Sequence, residues 1–188
     1  MHAFDVTLLM IRLIVGLTMV AHGWNHALGG GKIAGTARWF ESLGLRPGRA
    51  HAWLSVATEV GCGLALAAGF LTPLAAGGLL GTMLVAAVIE HRTHGFFIFR
   101  NGYEYVLMIA VILCATAISG GGRAALDHSI GFGLSPATGL AACVGIGAGG
   151  AAALLGACWR PAAAGRTAGE PAAGEATLAA APDLGGGS

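Results

Sequence analysis

The chain has 188 residues, 55% of them hydrophobic and only 10% charged, with a mean hydropathy of +0.74. A soluble domain carries about 25% charged residues, so this composition describes a membrane protein. Ten Lys and Arg against nine Asp and Glu form no concentrated basic face, which argues against nucleic acid as a partner.

A helix that crosses about 30 Å of hydrocarbon needs about 20 residues. Five stretches meet that requirement: 6–26, 52–71, 73–89, 103–119 and 137–159. Their apolar runs are continuous and do not alternate, as helices in lipid require. The expected fold class is an all-α membrane protein, a four-helix transmembrane bundle plus a fifth C-terminal transmembrane helix.

In chain order, the first stretch is interrupted by Arg12 and ends near His22 and His26. No Lys or Arg precedes it and no small-residue cleavage site follows, so it is expected to stay as an anchor. Gly29-Gly30-Gly31 then opens a connection in which Ile33, Trp39, Phe40, Leu43 and Leu45 mix with Lys32, Arg38, Glu41 and Arg46. That mixture suits a short helix lying in the interface. The second stretch contains Glu59, and Thr72-Pro73 joins it to the third. Proline is well placed at a helix start, so a tight antiparallel hairpin is expected. Glu90, His91 and His94 follow the third stretch, and Glu104 opens the fourth. From Arg160 onward Ala, Gly and Pro dominate, and residues 160–188 read as a disordered tail. The domain division is therefore 1–130 for the four-helix unit, 131–159 for the added helix, and 160–188 for the tail.

Small residues recur at every fourth position: Gly61, Ala65 and Gly69; Gly77 and Gly81; and Ala141, Gly145, Gly149, Ala153 and Ala157. Such rows let helix backbones approach in lipid, which suggests a homo-oligomer formed through the fifth helix. Cys62, Cys114, Cys143 and Cys158 form no C-x-x-C pair and read as small buried hydrophobes. Most Lys and Arg lie in the connections 27–51 and 90–102 and in the tail, all on one side of the membrane. The positive-inside rule puts that side, with the C-terminus, in the cytoplasm.

The polar residues collect near that same side: His22, His26, Glu59, Glu90, His91, His94, Arg100 and Glu104. At about 1.5 Å of rise per residue, His22 and Glu59 lie at similar depths, close enough to touch. On a helical wheel Arg12, His22 and His26 share one stripe, and Ser55, Glu59 and Cys62 share another. An ionisable residue within a span is costly and by default a functional candidate. Glu59 and His22 are therefore the candidate catalytic pair, and Arg12, His26, Glu90, His91, His94 and Glu104 the candidate binding residues.

Each has a plainer alternative. Glu59 paired with His22 also reads as a hydrogen-bonded core group, and Arg12 as a side chain snorkelling to the interface. Glu90, His91 and His94 suit a helix end, and Glu104 a helix start. Imidazoles from two helices are present, but neither H-E-x-x-H nor paired Glu-x-x-His occurs. Neither metal nor haem is therefore indicated. Gly29-Gly30-Gly31-Lys32 lacks the spacing and the Ser or Thr of a phosphate loop.

The order of several motifs carries a family resemblance over about residues 4 to 130. They are Arg12, His22-Gly23, Leu43-Gly44-Leu45-Arg46-Pro47, Glu59 and Gly69-Phe70-Leu71-Thr72-Pro73. Gly95-Phe96-Phe97, Gly102-Tyr103-Glu104, Gly122-Arg123 and Leu126-Asp127 complete the set. In this order the chain resembles the DoxX family of small bacterial four-helix membrane proteins. It departs from the family at His26, where a lysine is common, and in the loop after the fourth helix, reduced here to Gly-Gly-Gly-Arg-Ala-Ala-Leu-Asp. The fifth helix and the tail are additions. The resemblance implies a bacterial inner-membrane protein with redox associations, either an oxidoreductase subunit linked to thiosulfate or quinone chemistry or an anchor for soluble oxidative-stress proteins.

The reading that follows is a redox-associated membrane subunit. Its intramembrane pocket binds a quinone-like or other small amphipathic molecule, and Glu59 with His22 exchanges protons with it, a task suited to a histidine of ordinary pKa. The sequence does not name the cofactor. The alternatives are a non-catalytic anchor for soluble redox partners and a small-molecule carrier.

Overall fold

The computed structural model describes residues 2–161, so residues 162–188 of the expected tail lie outside the described residues. The described chain forms α1 (Ala3–Leu28), α2 (Lys32–Ser42), α3 (Gly48–Ala68), α4 (Thr72–Ala86), α5 (Glu104–Ser119), α6 (Leu126–Ser129) and α7 (Pro136–Cys158). The protein is an all-α membrane protein. Ala3–Leu28, Thr72–His94 and Pro136–Cys158 are long and apolar enough to cross a membrane. The α3 helix is as long as a span but carries Arg49, His51 and Glu59, and α5 has only 16 residues.

Local chemistry sets the helix ends. Asp5 accepts the His2 N–H at 3.0 Å in the first turn of α1, an anionic group where the helix dipole favours one. Gly69 ends α3 at φ 68°, the left-handed conformation in which glycine has no steric penalty. Pro73 lies in the first turn of α4, so the expected hairpin is present. The Ser135 hydroxyl caps α7 by accepting the Thr138 N–H at 3.3 Å.

Packing divides the bundle into two layers. One is the α1–α3 pair; the other is α4 with α5 and α7, and α3–α4 contacts join them. The shared core contains Val15, Met19, Leu66, Leu79, Leu80, Met83, Ile109 and Leu113. Gly16 and Gly63 make the α1–α3 approach close, since a Cβ on Gly63 would fall 2.7 Å from the Gly16 carbonyl oxygen. On α4, Gly77 and Gly81 face α7, as their spacing suggests.

The row on α7 that meets α4 is Gly139, Cys143, Gly147 and Ala151. The row expected from the sequence is shifted by two positions: Gly145 and Gly149 have open space around them and face away from the bundle. Glycine and alanine are so frequent in α7 that both faces carry small residues, and spacing alone does not separate them. Gly61 on α3 is likewise open.

The chain after α7 is tied back to the α2–α3 connection. Leu45 and Trp159 form an antiparallel bridge. The Arg160 N–H donates to the Gly44 carbonyl at 2.7 Å, the Arg46 N–H to the Cys158 carbonyl at 3.1 Å, and the Trp159 indole to the Leu43 carbonyl at 3.0 Å. Arg92 stacks over the Trp159 ring at 5.1 Å. The basic connections and the end of α7 therefore share one end of the bundle. Exposed Trp24, Trp53, Phe96, Phe97 and Phe99 lie at that end too, a pattern typical of the membrane–water boundary.

Candidate functional site

The end of the bundle marked by these aromatics holds a cavity of about 560 Å³, bounded by α1, α2, α3, α4, α5 and α7. Gly77, Gly78 and Gly81 on α4 and Gly150 and Ala151 on α7 form part of its wall. The rest of the lining is mainly apolar, including Met19, Phe40, Leu54, Val85, Ile89 and Leu154. A cavity of this size, apolar with a few polar groups, is the usual form of a small-molecule site.

Glu59 is the most buried ionisable group in that lining, at 5% relative exposure. Its Oε1 accepts the Ser55 hydroxyl at 2.5 Å and lies 3.8 Å from His26 Nε2. Its Oε2 is buried and has no hydrogen-bond partner among the described residues. The expected pairing with His22 is therefore replaced by one with His26. His22 lines the same cavity but stacks on Tyr105 with ring centroids 6.0 Å apart. His26 packs against the rings of Trp39 and Phe40, each 5.9 Å away and themselves 5.0 Å apart.

Glu90 and His91 reach the cavity because α4 continues into a π turn over Ala87–His91. Such turns recur at functional sites because they re-aim side chains. Both residues are also tied to Asn101: Glu90 Oε1 accepts the amide at 2.8 Å, and His91 Nδ1 lies 2.8 Å from the Asn101 carbonyl. His94 and Glu104 do not line the cavity. His94 bonds the Glu90 carbonyl at 2.8 Å, within the turn that ends α4, and Glu104 accepts the Ile98 N–H at 3.0 Å, which ties the 95–103 loop to α5.

Two cavity residues were missed in the sequence reading. His51 is buried, with Nε2 3.3 Å from the Arg46 carbonyl and Nδ1 without a partner among the described residues. A signal for it existed, since His51, Ser55 and Glu59 are four residues apart and share one helix face. Tyr105 follows Glu104 and had no such signal. Among the described residues no group of three or more His, Cys, Asp or Glu is arranged to hold a metal ion.

With α1 through the π turn building most of this wall, the comparison with known families falls on the same segment. Residues 7–92 match the DoxX family model. The match covers the motifs from Arg12 to Thr72-Pro73, while those from Gly95 to Asp127, with α5, α6 and α7, lie beyond it. No curated protein and no solved structure matches the chain.

Arg12, inside the DoxX segment, is not part of the cavity. It is completely buried near the opposite end of the bundle, where Nη2 donates to the Ala124 carbonyl at 3.0 Å and the guanidinium packs against Gly69. The snorkelling expectation is thereby corrected: the side chain turns inward because the 120–128 loop closes over it. Beside it Asp127, also missed as a buried group, accepts the Leu71 N–H at 2.6 Å, the Thr72 N–H at 2.9 Å and the Thr72 hydroxyl at 2.6 Å. A carboxylate 55 residues away in sequence thus caps α4.

Proposed function

We propose that the protein is a redox-associated membrane subunit whose cavity binds a small amphipathic molecule, a quinone-like ring being the form that suits a redox role. The observation that supports this most is the buried carboxylate of Glu59 in the cavity lining, with one oxygen held by Ser55 and beside His26 and the other without a hydrogen-bond partner among the described residues. In this reading Glu59 exchanges a proton with the bound molecule, His26 is the nearest relay, and His22 is the next along α1. Glu90 and His91 line the cavity and border the bound molecule. Arg12, His94 and Glu104 act by holding the bundle and the loop.

The reading places the protein in the inner membrane, crossing it with α1, α3, α4, α5 and α7. The basic end and the tail are then cytoplasmic. The 1–130 unit is the functional one, with 131–159 and 160–188 as additions to it. A C-terminal reporter fusion active only outside the cytoplasm would overturn the orientation.

The test of the site is binding of a short-chain quinone to the purified protein, with Glu59→Gln as the variant. Saturable binding weakened about tenfold or more by the substitution is expected. Undiminished binding would remove Glu59 from the site. The anchor reading is favoured by the Leu45–Trp159 bridge, which fixes the exit of the tail beside the basic α2–α3 connection. It wins if tail deletion abolishes a redox-stress phenotype that Glu59→Gln leaves intact.

A further inference from the structure

We infer that the occupant of this cavity is an amphipathic organic cation. This rests on the cavity-binding part of the proposed function and not on its redox part. Among the described residues, two carboxylates, Glu59 and Glu90, line the cavity, and no lysine or arginine does. The basic residues of this end are turned elsewhere: Arg92, for example, lies over Trp159. The lining thus offers two carboxylates and four histidines, His22, His26, His51 and His91, with no fixed positive charge among them.

Glu59 sets the demand for a counter-charge. A buried carboxylate is costly unless it is paired, and its Oε2 has no partner among the described residues although it is 95% buried as a residue, being 5% exposed. His26 is the nearest protein cation when protonated, but it faces Oε1 at 3.8 Å and leaves Oε2 without a partner among the described residues. The aromatic residues complete the pattern. Trp39, Phe40 and Tyr105 line the same space, and ring faces attract cations by their quadrupole, more strongly where water is excluded. A carboxylate, three rings and an apolar wall together select a molecule with a delocalised or quaternary positive charge on a hydrophobic body. A compact inorganic ion is disfavoured, since nothing here replaces its hydration shell.

The decisive pair of probes is tetraphenylphosphonium and tetraphenylborate, nearly the same shape with opposite charge. Binding to the full chain in nanodiscs is measured by equilibrium dialysis, with a short-chain quinone run in parallel. Saturable tetraphenylphosphonium binding is expected, at least about tenfold tighter than tetraphenylborate. Glu59→Gln should cut the cation affinity about tenfold or more, and Glu59→Asp should retain most of it. Equal binding of the two probes, or cation binding indifferent to Glu59→Gln in a folded variant, overturns the inference. If Glu59→Gln does not fold, the wild-type preference between the two probes decides alone. Quinone binding without cation binding sinks this inference and leaves the proposed function standing. Cation binding without quinone binding does the reverse to the redox part of that function.

Discussion

Where α1 begins, Asp127 directs both carboxylate oxygens at the first residues of α4, and Asp5 accepts the Arg123 N–H at 2.9 Å. Where α1 ends, Glu59 keeps one oxygen for Ser55 and His26, has the other without a partner among the described residues, and lines a cavity of about 560 Å³. Arg12 also has nitrogens without partners among the described residues, Nε and Nη1, but it does not line that cavity. Burial of charge therefore does not by itself distinguish a site from a brace. What distinguishes them is whether the residue with the unsatisfied group lines a cavity large enough to hold a ligand.

The comparison is broken most directly by Asp127→Ala. It removes three hydrogen bonds to the start of α4 and leaves the Arg12 guanidinium without its neighbouring carboxylate. A hydrogen bond to a charged group is worth about 1.5–3 kcal/mol, and three are lost here. The expected result is a large drop in the detergent melting temperature, and an unchanged melting curve would show that the α4 cap carries no stability. Glu59→Gln is the counterpart at the other end. Its amide retains the shape and a partner for Ser55, so stability should change by no more than about 1 kcal/mol while binding in the cavity weakens about tenfold or more. If Glu59→Gln melts as low as Asp127→Ala, both ends are braces.

These two ends were unequally legible in the sequence. The cavity end was visible because its polar residues lie within apolar runs at helical spacing, and depth arithmetic along α1 and α3 brought Glu59 near the histidines of α1. That arithmetic fixes height and not azimuth, so it named His22 where His26 is the neighbour. The brace end was hidden for another reason. Asp127 sits in a glycine-rich loop with no periodicity, and its partners are 55 and 56 residues away. Arg12 looked like an interface residue because only the fold of residues 120–128 covers it. The five long helices were evident from hydropathy, whereas the face α7 turns to α4 was not.

That last ambiguity gives a third comparison, between two glycines two positions apart on α7. A Cβ at position 147 would meet the Leu80 side chain at 2.8–2.9 Å, while one at position 145 meets nothing within 4 Å. Gly147→Leu should force α4 and α7 apart at a cost of about 1–3 kcal/mol, read as a lower melting temperature. Gly145→Leu should leave that temperature unchanged. If the outward row of α7 joins two copies of the chain, Gly145→Leu should instead reduce the assembly size in native mass spectrometry.

The smallest effect is expected where the chain leaves α7. Trp159→Phe keeps an aromatic surface for Arg92 and the backbone bridge to Leu45, but it deletes the indole donor to the Leu43 carbonyl. One neutral hydrogen bond is worth about 1 kcal/mol, so the melting temperature should fall only slightly. The more telling readout is the cavity. Leu43 lies between Phe40 and Leu45, both in the cavity lining, so loosening this clasp should weaken ligand binding more than it weakens the fold. Equal binding in Trp159→Phe and the wild type would mean that the cavity wall is held by the α2–α3 packing alone, with the exit of the tail uncoupled from the site.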